Sequence, residues 1–265
     1  MVVKDYGEYE IIVKWIPSNK TDNGGEGRHP GLEYIDCYRL NGEKLWRIDM
    51  GINMLAGDHH TQYLVYDFDK DGKSELIMRT APGGKDGLGN YVNQVADDAT
   101  IKAADNTRDW RASGGAKIVG GQEYLTVFEG ATGKAIHTIF YNPNRDGGYG
   151  GAASGTVLNW DDRSGKKDYV ASYGNRGNRF LAAVAYLDGQ DKRPSAVMCR
   201  GYYTYSYLWA VDFDGEKLTL RENHRFSNDP MYVNGRFTWD ILRIYFEIKN
   251  SITKTIIDGE VRYEA

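Results

Sequence analysis

Short apolar runs that end in a basic residue recur along the chain and are typical of buried strands. The runs and their basic ends are residues 11–13 with Lys14, 76–78 with Arg79, and 195–199 with Arg200. The first of them belongs to residues 4–14, which form a degenerate copy of a repeat unit in which an acidic loop leads into a strand. We therefore expect the sequence to begin within a repeat.

A second recurring unit consists of a strand, a glycine turn and another strand, with a basic residue just past the turn. It occurs at residues 36–46, 128–135 and 211–218, and it predicts three β-hairpins. Alternation of such hairpins with apolar strands predicts an all-β fold built from β-propeller blades. A β-sandwich is the alternative, but sandwiches seldom repeat one hairpin sequence three times.

Long, polar, glycine-rich segments separate these units. They cover residues 19–31, 81–121 and 142–165. Loops of this length are uncommon in compact domains unless they bind something, and a propeller presents its loops around one axis. We therefore expect these segments to form the recognition surface, with a short helix within residues 94–108.

The most specific motif is an acidic loop that runs directly into the strand at residues 76–78. Three carboxylates at alternate positions, a glycine at Gly72 and a further acid form a set of oxygen ligands suited to Ca²⁺. The predicted ligand set is Asp67, Asp69, Asp71, Lys73 and Glu75. An EF-hand is excluded because Met78 occupies the position of the bidentate glutamate and a strand follows. A solvated acidic turn without metal is the alternative.

Composition narrows the function classes. The 265 residues carry a formal net charge of -4 and no basic block, which argues against a nucleic-acid binder. Cys37 and Cys199 lie in predicted strands and are expected to be buried thiols without a disulfide. No apolar run reaches the length of a membrane span, and residues 1–4 lack the apolar region of a secretory signal.

A series of short motifs keeps one order over roughly residues 5 to 226. The motifs are residues 7–19, YID at 34–36, LWRID at 45–49, AGDHHTQ at 56–62, the acidic loop, EYLTVF at 123–128, SYGNR at 172–176, RFLA at 179–182, AYLDG at 185–189 and RGYYT at 200–204. This series resembles the rhamnogalacturonan lyases of polysaccharide lyase family 11.

The resemblance implies a secreted, calcium-rich, eight-bladed propeller. It also implies cleavage of the rhamnogalacturonan I backbone of pectin by β-elimination at galacturonic acid. The expected partner is this pectic polysaccharide, with no nucleic-acid or membrane partner, and the expected cofactor is Ca²⁺. A complete member is expected to be a monomer. The recognisable units would form about three of the eight blades, in the N-terminal part of the catalytic propeller.

Departures from the family pattern predict a fragment. Ile16, Pro82 and Asn178 stand where the family has aspartates, and the resemblance stops near residue 228. We expect residues 1–229 to form a partial propeller and residues 230–265 to form a tail of unknown structure, apolar and poor in glycine.

The chemistry implied by the resemblance directs the choice of site residues. Elimination across a uronic acid requires a cation against the carboxylate and a base near the carbon that loses its proton. The predicted catalytic residues are His59, Arg79 and Arg200, and the predicted substrate-binding residues are Lys14, Asn19, Asp22, Asn23, Tyr202 and Tyr203. The cations at positions 14, 79 and 200 would face one surface of the propeller. The structural alternatives are ion pairs between blades, a buried histidine, turn-capping loop residues and core tyrosines.

Two functions from other classes remain open. One is a non-catalytic, calcium-stabilised, carbohydrate-binding propeller fragment. The other is a calcium-binding adhesion propeller, which predicts an acidic loop in every blade, whereas only one loop is intact in this sequence. The catalytic base, and endo or exo action, are left open by the residues.

Overall fold

The computed structural model describes residues 2–5, 8–17, 32–57, 60–111, 118, 120–145, 178–201, 205–227, 255–257 and 260–262. Their regular structure is almost entirely strand. The strands are β1 (Val2–Asp5), β2 (Glu8–Trp15), β3 (Tyr34–Arg39), β4 (Lys44–Asp49), β5 (Tyr63–Tyr66), β6 (Glu75–Thr80), β7 (Tyr124–Glu129), β8 (Ala135–Phe140), β9 (Phe180–Ala185), β10 (Ser195–Arg200), β11 (Tyr205–Phe213), β12 (Leu218–Ser227), β13 (Thr255–Ile257) and β14 (Glu260–Arg262). The prediction of an all-β fold is confirmed.

The strands form three four-stranded antiparallel sheets in which chain neighbours are sheet neighbours. Sheet 1 contains β1–β4, sheet 2 contains β5–β8 and sheet 3 contains β9–β12, while β13 and β14 pair as a separate hairpin. The three predicted hairpins are confirmed as β3–β4, β7–β8 and β11–β12. Their turns place Gly42, Gly133 and Gly215 at positive φ, which glycine adopts without steric cost.

The helix predicted within residues 94–108 is present in a shorter form. A 3-10 helix spans Val92–Val95, and one α-helix, α1, spans Ala99–Lys102. The Asp98 carboxylate accepts hydrogen bonds from the backbone N–H groups of Thr100 and Ile101, so it caps the first turn. Because α1 is a single turn, its position depends on packing of the buried Ile101 rather than on helix propensity.

Sheet 2 is buried on both faces. All six residues of β6 are buried, and its three apolar side chains alternate between two apolar clusters. Leu76 and Met78 pack towards sheet 1 with Ile35 and Trp46, whereas Ile77 packs towards sheet 3. The continuous apolar run at 76–78 is thus the sequence signature of a strand covered on both sides.

Both cysteines are buried and free, as predicted. Burial raises the pKa of the Cys199 thiol to about 12, so this group is an unreactive apolar side chain. Among the described residues, no helix has the length and apolar character needed to cross a bilayer.

The exposed face of sheet 1 is equivalent to the face of sheet 2 that sheet 1 covers. Lys14 pairs with Ile35 across β2 and β3, and Arg79 pairs with Leu125 across β6 and β7. Aligning Lys14 with Arg79 places Ile11 at the position of Leu76. Ile11 is 37% exposed whereas Leu76 is 1% exposed, because among the described residues a neighbouring sheet covers Leu76 and none covers Ile11.

This difference gives the first prediction. Leu76→Ala should destabilise the fold by about 2–5 kcal/mol, because it leaves a cavity between two sheets. Ile11→Ala, the matched control, should cost less than about 1 kcal/mol because the side chain is already in contact with water. Urea denaturation of the two variants measures both costs, and equal costs would contradict the packing described above.

Candidate functional site

Three basic side chains predicted to act on the substrate lie at the C-terminal ends of the second strand of each sheet. Lys14 is the penultimate residue of β2, Arg79 is the penultimate residue of β6 and Arg200 is the last residue of β10. Each strand is fixed by ladder hydrogen bonds to its neighbours, so the starting point of each side chain is rigid.

A buried carboxylate joins two of these cations and a third arginine. Glu123, directly before β7, contacts Arg79 Nη1 at 3.0 Å, Arg145 Nη2 at 2.9 Å and Arg200 Nη1 at 2.5 Å. Arg79 and Arg200 are 2% and 0% exposed. Arg79 comes from sheet 2, Arg200 from sheet 3 and Arg145 from the segment after β8, so this arginine cluster ties the two sheets together.

In the arginine cluster, the pKa values of Glu123 and Arg79 are both lowered, but for different reasons. Burial alone raises the pKa of Glu123, but the positive charges of Arg145, Arg200 and Arg79 outweigh it and lower the pKa to about 2. Burial lowers the pKa of Arg79 to about 10, although Glu123 acts in the opposite direction. Glu123 and Arg79 therefore both stay ionised at neutral pH.

Further contacts orient the guanidinium groups. The Cζ atom of Arg79 lies 4.1 Å from the ring centroid of Phe180, and the Cζ atom of Arg200 lies 5.3 Å from the same centroid. Arg79 Nη2 donates to the carbonyl of His60 at 3.0 Å, and Arg200 Nη1 donates to the carbonyl of Pro143 at 3.1 Å. The cluster is a preorganised network whose hydrogen bonds are charge-assisted.

The expectation that the three cations face one open surface is not met. Arg79 and Arg200 approach each other from facing sides of sheets 2 and 3, because both are on the faces that form the apolar cluster between these sheets. Lys14 is half-buried and donates instead to the carbonyls of Gly57 and Thr61. The burial agrees with the alternative of structural ion pairing, and the catalytic assignment of Arg79 and Arg200 stays a prediction.

Several predicted site residues lie outside the described residues. They are His59, Asn19, Asp22, Asn23, Tyr202 and Tyr203. The neighbour His60 is described: it is buried, and its Nδ1 lies 2.8 Å from the carbonyl oxygen of Asn178. The structure thus brings Lys14 and Arg79 into contact with backbone carbonyls of Gly57, His60 and Thr61, whereas Arg200 reaches Arg79 through Glu123.

Two acids of this region have no assigned role in the sequence interpretation. Glu123 occupies the last position before the apolar strand β7, and Glu33 the last position before β3. An acid directly before a strand with a buried centre is the signal that would have found them, because a buried carboxylate requires a cationic or hydrogen-bonding partner.

The acidic loop connects β5 to β6 and brings its three aspartates together. One carboxylate oxygen from each of Asp67, Asp69 and Asp71 lies within 4.8 Å of the others. The same side chains accept hydrogen bonds from the loop backbone: Asp69 from Asp71 N at 3.0 Å, Asp67 from Gly72 N at 3.0 Å, and Asp71 from Lys73 N at 2.7 Å. The loop is therefore shaped by its own carboxylates.

The remaining predicted ligands differ from the three aspartates. Glu75 is buried, and its Oε2 accepts from Phe68 N at 2.9 Å. The Lys73 ammonium offers no acceptor, so only the main-chain carbonyl of this residue suits a cation. Burial, followed by the charges of the three aspartates, raises the pKa of Glu75 to about 8. The loop thus concentrates negative charge that a divalent cation would offset.

The comparisons with known proteins establish the family. The family model described as "Rhamnogalacturonan lyase family 11, C-terminal domain" matches residues 2–235. The chain is 45% identical over 249 residues to the rhamnogalacturonan endolyase YesW of Bacillus subtilis (strain 168), a match that covers 93% of this chain and 35% of that protein. The chain belongs to rhamnogalacturonan lyase family 11.

Solved structures of this family support the fold. The crystal structure of the exotype rhamnogalacturonan lyase YesX superposes with a TM-score of 0.69 at 43% identity, covering 87% of this chain and 33% of that one. A Bacillus licheniformis rhamnogalacturonan lyase gives a TM-score of 0.68 at 45% identity, covering 84% and 33%. The chain spans about a third of the length of these relatives. Its placement in the N-terminal part of the propeller stays a prediction.

The arginine cluster generates the second prediction. Glu123→Gln should cost about 3–5 kcal/mol of stability, because three guanidinium groups then lose the buried negative charge of the carboxylate that they share. Since the pKa of Glu123 is lowered to about 2, its contribution is complete above about pH 4.5 and lost as the pH falls towards 2. Urea denaturation between pH 3 and pH 7 measures both effects. Glu129→Gln, at an exposed position, is the control, and an equal cost for both variants would contradict the prediction.

Proposed function

We propose that this chain is part of a polysaccharide lyase that cleaves the rhamnogalacturonan I backbone of pectin by β-elimination at galacturonic acid. The observation that carries the proposal is the 45% identity to a rhamnogalacturonan endolyase over 93% of the chain. Both an endolyase and an exolyase are among its relatives, so endo or exo action is not part of the proposal. Secretion is proposed on the same ground, since pectin is an extracellular polymer.

The three sheets are proposed to be consecutive blades of the larger propeller that the family resemblance implies. Their meander topology and face-to-face burial support this arrangement. The propeller part is proposed to be residues 1–229 and the tail residues 230–265. Because the chain spans about a third of its relatives, a substrate cleft formed by these sheets would lack loops from the other blades.

β-Elimination defines what the polar residues must do. A cation must hold the uronate carboxylate, and a base must take the proton on the adjacent carbon. The half-buried Lys14 is the proposed carboxylate contact, and His59 is the proposed base. Arg79 and Arg200 are proposed to act as a fixed positive centre behind the substrate, held by Glu123. Such preorganised charge stabilises a developing enolate without reorganisation.

Calcium is proposed to bind the acidic loop through Asp67, Asp69 and Asp71, with the Lys73 carbonyl and Glu75 completing the set. The fit rests on the spacing of the three carboxylates and on Asp67 Oδ1, which is buried without a hydrogen-bond partner among the described residues. When bound, the cation would neutralise the loop and strengthen the β5–β6 connection. The loop also reaches sheet 3, since Lys70 Nζ donates to the carbonyl of Gln190 at 3.0 Å.

A non-catalytic, calcium-stabilised carbohydrate-binding fragment is the second candidate function. The burial of Arg79 and Arg200 favours it, because buried guanidinium groups do not contact a polymer directly. An adhesion propeller is less well supported. In the described part of the chain only the Asp67, Asp69 and Asp71 group has the spacing for a metal, whereas adhesion would require one such loop in each sheet.

The third prediction tests the lyase. The chain should form unsaturated uronate product from rhamnogalacturonan I far more slowly than a full-length family member, because a one-sided cleft loses productive orientation. Ultraviolet absorbance of the product per mole of protein measures this, with and without Ca²⁺. Binding without any product would favour the carbohydrate-binding function. A rate equal to the full-length enzyme would show that these sheets carry the whole catalytic apparatus.

The fourth prediction tests the metal. Saturating Ca²⁺ should raise the melting temperature, since a ligand at 100 times its Kd stabilises the native state by about 2.7 kcal/mol. Asp69→Ala should abolish the shift. Asp105→Ala is the matched control, because Asp105 also caps its own loop through Thr107 N but lies outside the acidic loop. An identical shift in both variants would contradict the assignment.

A further inference from the structure

An exposed arginine is stacked on an aromatic ring in the long segment between β6 and β7. Arg108 is exposed, and its Cζ atom lies 3.7 Å from the ring centroid of the half-buried Trp110. A guanidinium group at this distance is attracted by the negative face of the indole, and stacking limits the rotamers that the long side chain adopts. Arg108 and Trp110, the stacked pair, therefore hold a positive charge in a defined place at the surface.

One buried amide fixes the backbone that carries the stacked pair. Asn53 is 2% exposed, and its Nδ2 donates to the carbonyls of Pro82 and Arg108, both at 2.9 Å. Its Oδ1 accepts from Trp110 N at 2.9 Å. These bonds tie the backbone at residues 108 and 110 to the residues that directly follow β6, so the pair is preorganised.

A pair of neighbouring glycines makes room for the indole. A Cβ atom at Gly120 would lie 2.5 Å from Cε3 of Trp110, and a Cβ atom at Gly121 would lie 2.7 Å from Cδ1. Gly121 also has a positive φ of 83°, which glycine adopts without steric cost. A larger residue at either position would displace the ring, so this backbone is shaped around Trp110.

The stacked pair lies beside the arginine cluster. Gly121, which contacts the indole, comes shortly before Glu123 in the chain. Arg145 Nη1 donates to the carbonyl of Ile118 at 3.1 Å, and its Nη2 contacts Glu123 at 2.9 Å. Ile118 in turn forms an antiparallel bridge with Arg111. The backbone on either side of the indole is therefore joined to the arginine cluster of the candidate site.

The Arg108 guanidinium forms no ion pair in the described part of the chain, in contrast to Arg111, whose Nη2 contacts Asp109 Oδ2 at 2.6 Å. The carboxylate of Asp105 is bonded to Thr107, whose N–H group and hydroxyl donate to it at 2.8 Å and 2.7 Å. These bonds are the main reason that the pKa of Asp105 is lowered, and the N–H group and charge of Arg108 add to the effect. The guanidinium thus keeps its donors for an external anion.

The chemistry of the stacked pair favours a sugar acid as that anion. A guanidinium group donates two parallel hydrogen bonds to a carboxylate, and an aromatic side chain packs against the apolar side of a ring. A phosphate chain would also accept from Arg108. However, Asp105 and Asp109 lie in the same segment, and they would repel a densely charged chain more than a single carboxylate.

We propose that Arg108, oriented by Trp110, binds the carboxylate of a galacturonic acid residue other than the one that is cleaved. The identity of the polymer in this inference rests on the proposed lyase function, whereas binding of a uronate carboxylate does not. Lys14 remains the proposed contact of the cleaved residue. The stacked pair then supplies a second contact along the same chain, which fixes the position of the polymer over the candidate site.

Calorimetric titration of the whole chain with rhamnogalacturonan I oligosaccharides tests the inference. Arg108→Ala should raise Kd roughly tenfold, because a charge-assisted pair of hydrogen bonds is lost. Arg108→Lys should fall between the two, since lysine keeps the charge but not the paired geometry. Arg39→Ala, which removes another exposed arginine with an ion pair to Glu43, is the control and should match wild type. A wild-type Kd in Arg108→Ala, or no binding by the wild type, would overturn the proposal.

A change in the ligand separates carboxylate recognition from an effect on the fold. In carboxyl-reduced oligosaccharides each galacturonic acid is converted to galactose, so wild type and Arg108→Ala should bind them with equal Kd. A difference that persists with the reduced ligand would contradict the assignment. Trp110→Leu keeps an apolar contact with the glycines but removes the ring, and it should raise Kd for the acidic ligand. A wild-type Kd in this variant would refute the orienting role of Trp110.

Kinetics distinguish this inference from the proposed function. On rhamnogalacturonan I, Arg108→Ala should raise KM roughly tenfold and leave kcat less affected, because Arg108 contacts a residue that does not react. If the wild-type chain binds the acidic oligosaccharides but forms no product, the lyase function fails for this chain and the carboxylate site stands. If product forms and Arg108→Ala has wild-type KM and Kd, the carboxylate site fails and the lyase function stands.

Discussion

Burial of sheet 2 on both faces is the constraint on which the rest of the structure depends. Its second strand has no solvent face, so each residue must suit one of two neighbouring sheets. Leu76 and Met78 fill the space towards sheet 1, and Ile77 fills the space towards sheet 3. A one-residue slip in the register of β6 would exchange these faces. It would place Arg79 among the apolar side chains between sheets 1 and 2, so the register is strongly specified.

The burial of both faces of sheet 2 also explains the arginine cluster. Arg79 lies on the side of β6 that faces sheet 3, where a lone guanidinium would be costly to bury. Glu123 compensates it, and because the carboxylate also pairs with Arg145 and Arg200, one side chain joins β6, the start of β7 and the end of β10. Charge compensation in this cluster therefore fixes how sheets 2 and 3 meet, at the same end of the sheets as the turn that contains His60.

The acidic loop carries an excess of negative charge, whereas the arginine cluster carries an excess of positive charge. Burial, and then the charges of the three aspartates, raise the pKa of Glu75 to about 8, because the loop gathers carboxylates in one place. In the arginine cluster, one carboxylate whose pKa is lowered to about 2 offsets part of the charge of three guanidinium groups. The proposed metal would therefore act on the β5–β6 connection, whereas the arginine cluster is held by contacts to its own carboxylate.

The sequence by itself determined the all-β class, the three hairpins, the strands that end at Lys14, Arg79 and Arg200, and the acidic loop, because these depend on local patterns of period two and on turn residues. Tertiary structure decided the rest. The partners of Arg79 and Arg200, and the role of Glu123, depend on which sheet covers which face, because these residues are 44 and 77 positions apart in the chain and meet only in the folded structure. Local periodicity identifies a buried strand, but it carries no information on which distant charge compensates its ends.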